Sequence, residues 1–423
     1  MREDASDGSD SHSVSDALGH NVLNGATNLF GQWVYTSREY DALGRKTRES
    51  EPYLVSDGVS LWKDMVYDEY NRVIETTLPT GRVTQVSYHG NTVEQDDGIK
   101  TTSITRNALG EVVLHTDLGG SIAYHYNAHG QLVQAQYEGL TVDAEWDGWG
   151  NRIALHDPSA GTYQRLYNAY GELLSETTPS STTTYTYNAI GDVISKVSVG
   201  DNTDWSANYT YDPDTALLLQ VDSADHGETS SIAYTYDMFR RVLTTQESTD
   251  DVHFEHHLTY DLWGRLDTET FSAHHFATAT SASHAITHAY QHGEPWRIVD
   301  ANDPGQELWR VDAVNAQGHV TQGTLGSGVV FHNSYDALGL LTEQRVDPTD
   351  GADLVLGYSF EPIRGNLLAR SNSALSIAET FTYDSWDRLI SVDNGQDTWV
   401  QSYDDWGRIA YNQGVGSYNY AAD

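Results

Sequence analysis

A tyrosine followed by aspartate or asparagine returns along this chain, at intervals that one β-hairpin can fill. The pairs are Tyr40-Asp41, Tyr67-Asp68, Tyr126-Asn127, Tyr167-Asn168, Tyr187-Asn188, Tyr211-Asp212, Tyr236-Asp237, Tyr260-Asp261, Tyr335-Asp336, Tyr383-Asp384 and Tyr403-Asp404, with Trp146-Asp147 as a conservative variant. Weaker copies fill the gaps: Arg106-Asn107, Val314-Asn315 and Phe360-Glu361, with Tyr88 and Tyr290 the most eroded. Consecutive copies lie 18 to 30 residues apart. Self-similarity at such a period marks a repeat architecture, so length alone does not set the number of domains.

Each good copy reads strand, turn, strand. Tyr185-Thr186-Tyr187 and Tyr234-Thr235-Tyr236 alternate with period two, the mark of a strand with one buried face. The Asp or Asn side chain can bond the backbone two residues on and start a turn. Four residues after the aromatic comes glycine, at Gly44, Gly110, Gly130, Gly150, Gly171, Gly191, Gly264, Gly318, Gly339 and Gly407. Positive φ is needed there for the chain to reverse so soon, and glycine adopts it without steric cost. Asn71, Arg240 and Asp387 take the glycine's place in three copies. Asn and Asp tolerate the left-handed region, whereas Arg does not, so a different turn is expected after Tyr236. The longest interval, Tyr260 to Tyr290, holds FSAHHFATATSASHAITH and is expected to form a longer loop or a protruding hairpin.

A hairpin of about 20 residues is marginal alone in water. Set beside its neighbours it hides its edges and buries its tyrosine face, so the tyrosines should form an aromatic ladder across adjacent strands. With 27 Tyr and 11 Trp among 38% hydrophobic residues, a sizeable core is expected. The reading is an all-β spiral array of about 17 copies over residues 33–423, the last one truncated, after a polar segment or partial repeat at 1–32.

The copies YDALGRKTRE, YNAYGELLSE, YNAIGDVISK, YDLWGRLDTE and FTYDSWDRLISV resemble YD repeats, also called RHS repeats, over nearly the whole chain from about Trp33. The resemblance implies a continuous spiral β-sheet that winds into a hollow shell. Such shells occur in the C component of insecticidal Tc toxins, in bacterial RHS polymorphic toxins and in teneurins. In the toxins the shell encloses a C-terminal effector, which a sealing segment frees by aspartyl autoproteolysis. That activity does not carry over: no sealing Asp-Pro-x-Gly element is found, and Asn302-Asp303-Pro304-Gly305 reads better as a turn. The chain stops at Tyr418-Asn419-Tyr420-Ala421-Ala422-Asp423 as another repeat begins, which reads as part of a shell or a truncated product. An open piece of shell should expose edge strands and associate with rising concentration.

Composition limits the partners. A net charge of −38, from 61 acidic against 23 basic residues, opposes nucleic acid and anionic membranes. There is no cysteine, hence no disulfide or thiolate metal site, and no apolar run long enough to span a membrane. The first 20 residues lack a secretion signal's basic start and apolar stretch. Either export uses another route or Met1 is not the natural start, and the resemblance implies the medium or the bacterial surface as the destination.

Other chemistry reads more weakly. His253, His256, His257, His274, His275, His284, His288 and His292 crowd one segment, but no spacing matches a ligand motif. The acidic neighbours Asp96-Asp97, Asp250-Asp251 and Asp404-Asp405 would point to opposite faces of a strand and could not share a glycosidase site. Gly323-Thr324-Leu325-Gly326-Ser327-Gly328 lacks the Lys-Ser/Thr of a phosphate loop and is expected to be a hairpin turn. Trp62, Trp205, Trp296, Trp309 and Trp399 lie off the repeat position and are candidate contact surfaces for glycans or cell-surface protein. No catalytic, cofactor or metal residue is assigned. The expected role is a shell wall around an effector polypeptide, joined to remaining shell segments. An adhesion or carbohydrate-binding scaffold is the alternative, and a β-rich glycoside hydrolase ranks below both.

Overall fold

A computed structural model describes residues 2–4, 8, 10–57, 61–249, 251–404 and 407–418. The truncated last copy at 419–423, and Asp250 and Asp405 of the acidic pairs, lie outside these residues.

Among the described residues there is no α-helix, only strands and a single 3₁₀ turn at Val55–Asp57. Every strand pairing is antiparallel, and almost all join neighbours in sequence, as Leu173–Thr177 joins Ser181–Tyr187 and that strand joins Val193–Gly200. The ribbon forks once, at Trp33–Tyr40. The first half of that strand pairs with Asn21–Thr27 and Tyr53–Leu54, and its last residues pair with Lys46–Ser50. The fold is therefore a long antiparallel ribbon, not closed into a barrel. It nevertheless returns on itself: His292 Nδ1 lies 3.0 Å from the carbonyl oxygen of Leu29.

The expected sizeable core is absent. The only buried apolar residues described are Leu29, Ala154, Ala207, Val299 and Val311, with Ser50 beside them, and the repeat tyrosines are half-buried. The chain exposes 25,089 Å², whereas a compact globule of 46.9 kDa would expose about 16,000 Å². Hairpins laid side by side make one layer, and nothing covers either face except neighbouring side chains on the same face. Period-two alternation survives in this thin wall, as in Gly161–Tyr167 and Ser181–Tyr187, where half-buried and exposed residues alternate strictly.

Two local expectations have different outcomes. The segment after Tyr260 is a protruding hairpin, with Leu266–His275 paired to Thr280–Gln291 out to His275 and Thr280. The turn after Tyr236, expected to differ, keeps the common geometry. Arg240 sits at φ 66°, beside 63° at both Asn71 and Asp387, and its N–H bonds the Asp237 carbonyl at 3.0 Å. The turn's hydrogen bonds hold arginine where its Cβ disfavours it. Arg240→Gly should therefore stabilise the chain by about 1 kcal/mol. An unchanged or lower urea midpoint would refute this.

Candidate functional site

Among the described residues, the one arrangement repeated throughout is the joint between hairpins. At the repeats the ladder slips by one residue just before the aromatic, except at the eroded Tyr88, which pairs with Val93 in unbroken register. Glu39 pairs with Arg48 but Tyr40 with Lys46, and His125 pairs with Gln134 but Tyr126 with Leu132. Such a bulge interrupts the ladder and leaves a backbone group to be satisfied elsewhere. The next repeat supplies the partner. The Tyr67 hydroxyl donates to Lys46 O (2.7 Å), and Trp146 Nε1 donates to Leu132 O (2.9 Å). Tyr187 does so to Leu173 O (2.7 Å), Tyr211 to Val193 O (3.0 Å), Tyr236 to Leu218 O (2.7 Å) and Tyr260 to Val242 O (2.8 Å). Tyr40, Tyr126, Tyr167, Tyr335, Tyr383 and Tyr403 make the same bond to Asn21, Val112, Arg152, Val320, Leu367 and Leu389. Even the eroded Tyr88 and Tyr290 keep it, to Val73 and Leu266. The acceptor is each time the residue paired with the preceding aromatic, or its stand-in, at the bulge.

The turns are built alike. In the first, Asp41 N–H bonds Arg45 O, Gly44 N–H bonds Asp41 O, and Asp41 Oδ1 accepts from the N–H groups of Leu43 and Arg45. Gly44, Gly110, Gly130, Gly150, Gly171, Gly191, Gly264, Gly318, Gly339 and Gly407 all have φ between 78° and 92°. Asp and Asn are not interchangeable here. Asp41, Asp68, Asp237, Asp261, Asp384 and Asp404 take the Nε of an arginine four residues on. Asn107, Asn127, Asn168 and Asn188 instead donate to Glu111, Gln131, Glu172 and Asp192. The residue four places on, readable in the sequence, reveals this rule.

Among the described residues, ring contacts do not join successive repeat tyrosines, which corrects the expected aromatic ladder. The turn's cation intervenes: Arg45, Arg241, Arg265 and Arg388 lie over Tyr67, Tyr260, Tyr290 and Tyr403 at 4.9, 4.1, 4.3 and 4.3 Å. His20 and His319 take that place beside Tyr40 and Tyr335. Where the turn carries arginine or one of these histidines, that side chain stacks beside the aromatic of the neighbouring repeat.

Burial raises the Tyr187, Tyr211, Tyr236 and Tyr383 phenols above their usual value. Hydrogen bonds from the Arg45 backbone, the Asn151 side chain and the Thr215 backbone lower Asp41, Asp147 and Asp212. A raised phenol means that the unfolded chain ionises first as pH rises. Its contribution is intact below about pH 10 and is lost above. The lowered carboxyls contribute above about pH 4 and fail as pH falls through their folded values. Urea midpoints should form a plateau between these limits and fall on the alkaline side, where the Tyr187, Tyr211, Tyr236 and Tyr383 joints lose their proton. A midpoint indifferent to pH 11 would contradict the joint's role.

The other candidates disperse. His256 Nε2 and His288 Nε2 both contact Glu269, at 2.8 and 2.6 Å, while His253 and His274 bond Ser248 and Ser281. Among the described residues no group of three or more His, Asp or Glu is arranged to hold a metal ion. Asp96 accepts from Gly98 N–H, and Asp97 pairs with Arg82 at 3.0 Å. Asn302–Gly305 is a turn, with Gly305 N–H bonding Asp303 Oδ1. Of the five off-repeat tryptophans only Trp399 is exposed.

These joints and turns define a YD-repeat β-shell fold. The chain aligns over 97% of its length with 26% of a chain in the Photorhabdus luminescens Tc holotoxin pore, at TM-score 0.73 and 16% identity. It aligns equally far with a TcdB2–TccC3 crystal structure, at TM-score 0.75 and 16% identity. A stretch of 135 residues, 30% of this chain, is 31% identical to the tRNA3(Ser)-specific nuclease WapA of Bacillus spizizenii, of which it covers 5%. The chain thus spans about a quarter of these toxin chains and a twentieth of the nuclease. No protein-family model matches it.

Proposed function

We propose that this chain is a wall segment of a bacterial toxin-associated container, exported to the medium or cell surface, and that it partly encloses a polypeptide. Its role in this reading is architectural, and its partners are the enclosed effector and further shell segments. The observation that carries the reading is the one-layer ribbon, 97% of which aligns with chains of the Tc toxin structures. A wall needs strands paired in sequence, edges hidden by neighbours, and little core, as found here. The stretch shared with a nuclease that acts on tRNA fits a toxin setting. Electron microscopy of the protein isolated from its own cells tests the proposal. A hollow body with density inside supports enclosure, and a solid or empty particle overturns it.

A further inference from the structure

The repeat turns carry a second regularity, at their tips. The residue just before the turn glycine is apolar in most copies, and it points out of the ribbon. Leu43, Leu109, Trp149, Tyr170, Ile190 and Phe239 are between 70% and 93% exposed there. Because repeat turns alternate with the opposite hairpin turns along an antiparallel ribbon, these tips share one margin. A row of bare apolar side chains in so acidic a chain marks a contact surface.

Two contacts show how the two margins meet. Trp386 holds the same position in a late turn and is only half-exposed. It lies against the opposite-margin turn Asp117–Gly120 of an early hairpin, so that a Cβ on Gly119 would stand 3.6 Å from its ring. Leu118, Ile122 and Tyr137 line the small cavity it shares. The same meeting recurs earlier: in the opposite-margin turn Asn28–Gln32, Leu29 is buried, and its carbonyl meets His292 of the repeat turn after Tyr290. Where a repeat-turn margin meets an opposite margin, the apolar residue at the meeting is covered, and elsewhere it is bare.

We infer that the bare tip row is a docking margin for the opposite margin of a second copy of this chain, joined head to tail as Trp386 joins Gly119 within one copy. The chain presents an unmated surface of each kind. The early tips Leu43 to Phe239 are one, and the late opposite turns carrying Phe276 and Leu375, 53% and 66% exposed, are the other. Burying the aromatic tips Tyr70, Trp149, Tyr170 and Phe239 at about 150–250 Å² each would supply roughly the 800 Å² per partner of a stable interface. The contact is heterologous, so each added copy leaves a fresh margin and assembly does not close. Like charge opposes it, so salt promotes it.

Sedimentation velocity of the full chain over two decades of concentration, at low and moderate salt, tests this. The expected result is a mass that rises past the dimer without a plateau, more so at higher salt. Trp149→Glu with Tyr170→Glu should abolish the rise, as should Phe276→Glu with Leu375→Glu, with unchanged circular dichroism in both. Mixing the two variants should restore a one-to-one pair that stops there, because each lacks one margin. A monomer at all concentrations overturns the inference, and so does a dimer that saturates, which is a closed tip-to-tip pair. Association that both variants leave intact, as exposed edge strands would give, also overturns it.

Discussion

Gly326→Ala is expected to destabilise the chain by about 3 kcal/mol, although Gly326 sits in a surface turn. A Cβ there would lie 2.4 Å from the Glu307 carbonyl oxygen and 3.0 Å from Leu308 Cα, both backbone atoms of the adjacent strand Glu307–Val314. Neither can swing aside as a side chain would. Gly326 N–H also donates to Leu308 O at 2.8 Å, so relieving the clash breaks the bond that sets the register. Overpacking a tight contact costs about 1–3 kcal/mol, and the lost hydrogen bond adds to it. Gly318→Ala is the control. Its φ of 84° makes alanine strained, but nothing lies within 4 Å of the new methyl, so the cost should be only about 1 kcal/mol. Urea midpoints measure both, and equal losses would mean that conformation, and not the neighbouring strand, governs Gly326.

The glycine-rich segment around Gly326 shows where the sequence was legible and where it stopped. That the chain reverses within Gly323–Gly328 followed from the flanking strands, but Gly323–Leu325 still belong to the strand Val320–Leu325 and the turn itself is only Gly326–Gly328. Why glycine stands at Gly323 and Gly326 did not follow, because the reason lies across the sheet, at Arg310 O and Glu307 O. The same division holds for the joints. Tyr-Asp followed by Gly announced the strands, the turns and their repetition, since these are local. The bond from Tyr236 to Leu218 O depends on a bulge register between two hairpins, which alternation alone does not encode. The thin wall was misjudged for a related reason. Alternation says that the two faces of a strand differ, and abundant Tyr and Trp say that much apolar area is available. Neither says whether a second layer covers the first. Arg240 differs on energetics: the left-handed φ costs arginine only about 1 kcal/mol, and the hydrogen bonds at Asp237 hold the turn in place.

Removing the Tyr236 side chain should separate the two contributions of the repeat aromatic. Tyr236→Phe keeps the ring on the sheet face but leaves the Leu218 carbonyl without its hydroxyl partner. The expected loss is about 1 kcal/mol, the net worth of one neutral hydrogen bond. Tyr236→Ala also strips a half-buried ring from a face that has no second layer to collapse onto it, and the loss should rise to about 3 kcal/mol. Both losses should act locally. In a ribbon whose stability is a sum over neighbouring units, a weakened joint opens the hairpins on either side before the whole array yields. Hydrogen exchange in Tyr236→Ala should therefore speed up across strands Leu218–Asp225 and Val242–Thr249, and leave Leu132–Tyr137 as protected as before. If exchange instead rose evenly along the chain, the wall would be one cooperative unit. The joint would then be a contact among many and not the element that ties each hairpin to the last.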